Sequence, residues 1–193
     1  MTAQNRPLAD DVDRILINSQ QLQTRIQELA AQIDADFAQH DDLLLICVLK
    51  GAFIFLADLS RAVTRPHHVD FMAISSYGSG TTSSGAVQII MDLKQDIQGR
   101  HILIVEDIID SGRTLAYMYR TLLARQPASL HICTLLNKPS RREVDVPVRY
   151  LGFDIPDEFV VGYGLDFAED YRNLPYIAVL KPSVFAHLFA PPA

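Results

Sequence analysis

The stretch with the most chemical content runs from Val105 to Thr114, VEDIIDSGRT. It places Glu106, Asp107 and Asp110 directly after the apolar run HILIV and closes on Ser111-Gly112-Arg113-Thr114, ahead of a helical pattern. Carboxylates accept hydrogen bonds from hydroxyls and ligate hard cations. A glycine turn that opens a helix offers unpaired backbone N–H groups and a dipole favourable to anions, and lets a ligand approach the backbone closely. The Ser111 and Thr114 hydroxyls can add hydrogen bonds to such an anion. Asp110 or Ser111 alone would suffice to cap the helix. Two further carboxylates side by side repel one another unless something cationic or rich in hydroxyls binds there. Acids for ribose hydroxyls beside amides for a phosphate point to a sugar phosphate. Neither Gly-x-x-x-x-Gly-Lys-Ser/Thr nor Gly-x-Gly-x-x-Gly occurs, so the turn is neither a Walker A loop nor a dinucleotide fingerprint.

The elements that must hold this segment can be read from hydrophobic spacing. Asp10-Asp11 ahead of Val12, Ile15 and Leu16 predict a short amphipathic helix, and Leu22, Ile26, Leu29, Ile33 and Phe37 predict a second. From Leu43 onward, short apolar runs alternate with helical patterns. LLLICV, VDFMAIS, VQIIM, HILIV (101–105), SLHICTLL, VRYLGF and YIAVL read as strands. Ala52 to Val63 reads as a helix, and so does the segment carrying Leu115, Met118, Tyr119, Leu122 and Leu123. This alternation predicts an α/β fold, a mostly parallel sheet flanked by helices, in one domain over residues 1–193. Ligands of such sheets bind beyond the carboxyl ends of the strands, where Glu106, Asp107 and Asp110 fall. SSYGSGTTSSG, from Ser75 to Gly85, is long, polar and glycine-rich. It is either an ordinary connection or a mobile lid.

Composition narrows the function classes. The 193 residues carry 17 Lys+Arg against 23 Asp+Glu, a net charge of −6, with 49% hydrophobic residues. A largely disordered chain is excluded, and the acidic balance argues against a non-specific nucleic-acid surface. A phosphate-bearing small molecule remains compatible, since backbone amides can hold it. Cys47 and Cys133 lie inside apolar runs and are expected as buried thiols. The start MTAQNRPLADD has no apolar secretory core, and Lys50-Gly51 interrupts the apolar stretch Leu43 to Leu59, so no membrane span and a cytoplasmic location are expected.

VEDIIDSGRT resembles the phosphoribosyl-pyrophosphate (PRPP) motif of type I phosphoribosyltransferases. The stretches VLKGAFIFLADL, ISSYGSGTTSSG, LLNKPSRR and IPDEFVVGYGLDFAEDYRNLPYI are similar, in order, to the 6-oxopurine branch, the hypoxanthine (hypoxanthine-guanine) phosphoribosyltransferases. The match runs from about Leu43 to Ile177. The resemblance implies a type I phosphoribosyltransferase-like fold with a small hood and a flexible active-site loop. It implies transfer of ribose 5-phosphate from PRPP to hypoxanthine or guanine, giving IMP or GMP and pyrophosphate, with Mg²⁺ as cofactor. It also implies a homodimer or homotetramer; that nucleic acid is not a partner is the expectation from the −6 net charge.

By the same resemblance, Glu106 and Asp107 contact ribose hydroxyls and help position Mg²⁺, with Asp166 the second metal-associated carboxylate. Asp110 is the general acid/base near purine N7, and the turn Asp110 to Thr114, with Ser111, Gly112, Arg113 and Thr114, holds the 5′-phosphate; the family varies at position 113, so the Arg113 side chain has no role beyond phosphate attraction. Lys50 and Gly51 form the pyrophosphate loop, where the peptide before the lysine can be cis, and Arg172 grips pyrophosphate. Lys138 donates to the purine O6, Phe159 stacks on the ring, and the Val160 backbone reads its edge. Ser76 and Tyr77 begin the closing loop. Arg141 and Arg142 are expected to be solvated members of a basic loop. Two alternatives stay open: a preference for xanthine or guanine, and a regulator of this fold that binds nucleic acid and only senses PRPP.

Overall fold

The computed structural model describes residues 7–76 and 87–185. Among the described residues, six strands form the main sheet in the order β4-β3-β2-β5-β6-β7. These are β2 (Leu43–Leu49), β3 (His67–Ser76), β4 (Val87–Met91), β5 (His101–Ile109), β6 (Ser129–Asn137) and β7 (Val148–Asp154). Pairing is parallel throughout except between β3 and β4, the antiparallel edge. Residues alternate across the sheet because successive side chains of a strand point to opposite faces. Leu43, Leu45 and Cys47 therefore join one core with Leu103, Val105 and Leu135, while Leu44, Ile46 and Val48 join another with Ile102, Ile104 and Ile132. Burial on both faces is why these strands read as unbroken apolar runs. Cys47 and Cys133 are free, buried thiols, and burial pushes that of Cys47 up to about 12.

Helices α1 (Ser19–Asp36) and α2 (Phe53–Ala62) cover the first face, and α3 (Arg113–Leu123) covers the second. α1 starts at a reciprocal capping box: Asn18 Oδ1 accepts from Gln21 N and Gln21 Oε1 accepts from Asn18 N, each at 2.9 Å. Its apolar stripe, Leu22, Ile26, Leu29 and Ile33, is fully buried, each side chain contributing roughly 1.5–3 kcal/mol. α2 buries Phe55, Leu56 and Leu59 beside it, and a four-residue helix, α4 (Pro182–Phe185), follows the last strand.

The predicted helix at Val12 is a strand instead. A 3-10 turn over Leu8–Asp11 leads into β1 (Val12–Ile17), which pairs antiparallel with β9 (Ile177–Leu180). The spacing of Val12, Ile15 and Leu16 imitates a helical face, but the partner that settles the conformation lies more than 150 residues away. With β8 (Val160–Val161) these form a second sheet, in the order β1-β9-β8, the expected hood. β5 also extends beyond the predicted HILIV, since pairing with β6 continues through Glu106–Thr134 to Ile109–Asn137. The two leading acids therefore sit on the strand itself.

At the opposite end of the sheet, Phe37 meets the rings of His40, His101 and His131 edge-on at 6.0–6.2 Å. His40 and His101 lie 3.9 Å apart, and His101 Nδ1 bonds Ser129 Oγ at 2.8 Å. Burial, and then the His40 charge, lowers the His101 pKa, with Asp42 opposing. Burial lowers that of His131 too, aided by Arg149 and opposed by Asp36. The unfolded chain therefore takes up protons more readily. The stability from keeping His101 and His131 neutral is complete above the ordinary imidazole pKa of about 6.5 and is lost as pH falls below it. Tm should be lower at about pH 5.5 than at 7.5, by less in His101→Asn; an unchanged difference in that variant would remove His101 as a source.

Candidate active site

The chain leaves β2 toward β3 on one side and passes from β5 to β6 and β7 on the other, so the strand order reverses between β2 and β5. Open parallel sheets form their ligand crevice at such a point. Lys50-Gly51 leave the carboxyl end of β2, and residues 110–114 leave that of β5, the strand that carries Glu106 and Asp107. The Leu49–Lys50 peptide bond is cis. Gly51 is wedged tightly: a Cβ there would lie 1.5 Å from Asp107 Oδ2, and one on Gly164 would lie 2.0 Å from the Gly51 carbonyl oxygen. The loop from β8 toward β9 thus presses Gly51 against the acid pair.

That loop carries Asp166 and Arg172. Arg172 Nη1 donates to the Gly164 carbonyl at 2.8 Å, and Nη2 reaches Asp166 Oδ1 at 2.8 Å and Glu169 Oε1 at 3.5 Å. Asp166 Oδ2 accepts from Glu169 N at 2.9 Å, and Lys50 Nζ pairs with Glu169 Oε2 at 2.9 Å. Tyr163, Ala168, Glu169 and Tyr171 all have positive φ, between 52° and 75°. Non-glycine residues adopt that region only where surrounding contacts over-determine the backbone, as at ligand sites. Tyr171 Oη supplies one such contact by donating to Asp11 Oδ2 at 2.8 Å.

Glu106 and Asp107 are half-buried, and Glu106 Oε2 is buried with no hydrogen-bond partner among the described residues. Burial, and then the Asp107 charge, raises the Glu106 pKa well above the usual carboxylate range. Burial raises Asp107 too, against the Ile108 N–H donated to its Oδ1 at 2.7 Å and the Arg172 charge. The pair resists carrying two negative charges until cationic or hydroxyl partners arrive.

Beyond Ile109 the chain turns at Gly112, whose φ of 83° lies in the left-handed region. Gly112 is the N-cap of α3 and has no side chain to close the helix end; Ser111 Oγ reaches only the first N–H, accepting from Arg113 N at 3.4 Å. The turn opens on a cavity of about 170 Å³ lined by Glu106, Ile108, Asp110, Ser111, Gly112 and Thr114. Arg113 is directed away to Glu143, with Nε donating to Oε2 at 2.7 Å.

Lys138 follows β6, its backbone N–H bonded to the Ile109 carbonyl at 2.9 Å and its side chain only 12% exposed. Its Nζ lies 3.8 Å from Asp157 Oδ1; Arg141 Nε is 3.8 Å from the same oxygen and 3.3 Å from Asp110 Oδ1. Phe159 is 46% exposed and meets Phe167 edge-on at 5.5 Å, while Val160 is buried opposite Val179. Asp157 thus links the shielded Lys138 ammonium to Arg141 and, through it, to Asp110.

Comparison with known proteins matches residues 12–168 to the phosphoribosyl transferase domain. A hypoxanthine-guanine phosphoribosyltransferase of Mycobacterium avium is 53% identical over 180 residues, 91% of this chain and 89% of the relative. The hypoxanthine phosphoribosyltransferase of Escherichia coli is 54% identical over 164 residues, 84% of this chain and 92% of that protein. The chain belongs to the hypoxanthine phosphoribosyltransferase family.

Solved members of that family share the fold. A hypoxanthine phosphoribosyltransferase of Staphylococcus aureus superposes with a TM-score of 0.89 at 44% identity, covering 95% of this chain and 99% of its own. A mutant of the Trypanosoma cruzi enzyme, solved as a ternary substrates complex, gives 0.85 at 42% identity, covering 91% and 99%.

Relative to the sequence reading, the crevice gathers Lys50, Gly51, Glu106, Asp107, Asp166 and Arg172 on one side, and Asp110, Ser111, Gly112, Thr114 and Lys138 on the other, while the Arg113 side chain turns away to Glu143. Ser76 ends β3 and its side chain, like all of Tyr77, falls outside the described residues. Arg141 and Arg142 are not both free in solvent as expected. Arg141 is exposed but ion-paired to Asp110, and Arg142 is half-buried with Nη2 donating to Asn137 Oδ1. Glu169, Asp157 and Glu143 escaped the sequence reading altogether, since acids in polar loops give no local signal. Among the described residues, no helix is long and apolar enough to cross a membrane.

Proposed function

We propose that the chain transfers ribose 5-phosphate from PRPP to N9 of hypoxanthine and guanine, giving IMP or GMP and pyrophosphate, as a cytoplasmic purine-salvage enzyme. The observation that carries this reading is the adjacency, at one strand end, of a half-buried acid pair and a left-handed glycine turn that opens α3. It supplies acceptors for ribose hydroxyls beside donors for a phosphate. In the reaction the C1′–O bond to pyrophosphate breaks, the C1′–N9 bond forms, and the purine loses a proton. Asp110 takes that proton near N7. The 110–114 turn holds the 5′-phosphate, and Lys50, the Gly51 backbone and Arg172 take up charge on departing pyrophosphate. Lys138 donates to O6, which distinguishes 6-oxopurines from adenine, and Phe159 stacks on the ring with Val160 at its edge.

The donor set suits Mg²⁺. The acids of the crevice are hard oxygen donors, and the partnerless Glu106 Oε2 lies beside Asp107. Among the described residues no three His, Cys, Asp or Glu side chains converge as a cage. Glu106, Asp107 and Asp166 would thus contribute only part of the coordination shell, consistent with an ion that keeps waters and phosphate oxygens. When bound, Mg²⁺ would neutralise pyrophosphate charge as a Lewis acid.

The test is nucleotide formation from PRPP and Mg²⁺ with hypoxanthine, guanine, xanthine or adenine. Product is expected with the first two. Retention of RNA or DNA with no product from any base would favour the regulator alternative. Lys138→Gln should raise KM for the base by about 10- to 100-fold, the value of a hydrogen bond to a charged group, and leave PRPP binding nearly unchanged.

A further inference from the structure

We propose that Arg142 is a positioning residue for the phosphate turn, setting its backbone and placing a fixed positive charge behind the bound 5′-phosphate. The inference rests on residues 110–114 being the 5′-phosphate cradle. Chain segment 142–144 lies directly against that turn. Glu143 N and Val144 N both donate to the Ser111 carbonyl at 3.0 Å. A Cβ on Gly112 would lie 2.3 Å from the Val144 carbonyl oxygen, 3.0 Å from Arg142 Nη1 and 3.3 Å from its Cδ. The guanidinium therefore packs on the one residue whose left-handed backbone shapes the turn.

The two ends of the fork have different surroundings. Nη2 donates to Asn137 Oδ1, and Asn137 Nδ2 donates to Asp154 Oδ1 at 2.6 Å, which anchors the arginine to the ends of β6 and β7. Nη1 is buried against Gly112 with no hydrogen-bond partner among the described residues. An unanswered donor on a buried charge is unfavourable, whereas beside an incoming phosphate the same charge is attractive, at low local dielectric. A planar fork held at one end and free at the other suits this task better than a flexible ammonium.

The experiment compares IMP with inosine, which lacks only the 5′-phosphate, by calorimetric titration of wild type, Arg142→Met and Arg142→Lys. Wild type should bind IMP far more tightly. In Arg142→Met the ratio of the two affinities should fall at least tenfold through weaker IMP binding, with inosine affinity unchanged. Arg142→Lys, which keeps the charge without the fork, should give an intermediate ratio and serves alone if the methionine variant does not fold. Equal weakening of both ligands, or an unchanged ratio, would overturn the role of Arg142. A wild type that binds inosine as tightly as IMP would instead sink the phosphate-cradle reading beneath it.

Discussion

Asp110→Asn should lower kcat by about 10²- to 10⁴-fold, the usual worth of a positioned proton acceptor, while PRPP affinity stays close to that of wild type. Asparagine keeps the shape of the side chain and one oxygen for Arg141 Nε, now 3.3 Å from Oδ1. What it lacks is a basic site for the purine proton. On the proposed reading backbone and hydroxyl groups of residues 111–114 would hold the 5′-phosphate and Glu106 and Asp107 the ribose, so the ground-state complex should survive. Pre-steady-state mixing with radiolabelled PRPP separates chemistry from binding. Comparable turnover in mutant and wild type would take Asp110 out of proton transfer and leave it as a partner for Arg141.

The legibility of this site in the sequence follows from how local each interaction is. β2, β5 and β6 are apolar on both faces, so their runs announce a covered parallel sheet, and the polar residues that interrupt those runs mark the strand ends where ligands sit. The acid pair and the glycine turn lie in one short segment and could be read together. Features made by distant pairing could not. β1 is defined by β9 at the far end of the chain, and β8 has only two residues. Arg142 looks like any loop arginine until the return of residues 142–144 onto Ser111 and Gly112 buries it. The −6 net charge shows the same limit: acids cluster where an anionic substrate would bind, and only the placement of Lys50, Arg172 and backbone donors among them makes that intelligible.

Gly51→Ala should reduce kcat/KM for PRPP by about 10²-fold or more, comparable to other ångström-scale displacements of reacting groups. The added Cβ would stand 1.5 Å from Asp107 Oδ2 and 2.5 Å from its Cγ. The nearest obstacle is a side chain with rotamers to spare, so the carboxylate can swing aside while the core below, Cys47 and Val105, stays packed. Tm should therefore fall little while the site loses the oriented acid that, on the proposed reading, would face the ribose. If displacement of Asp107 is the whole effect, the two changes must be non-additive. In an Asp107→Ala background the obstructing atoms are gone, and adding Gly51→Ala should cost almost nothing further. A double mutant as impaired as the product of the two single effects would show that Gly51 acts through something else, such as its carbonyl contact with Gly164. Gly164→Ala then separates the two contacts: its Cβ would press on the Gly51 backbone, not on Asp107, and should impair PRPP use in the Asp107→Ala background as it does in wild type.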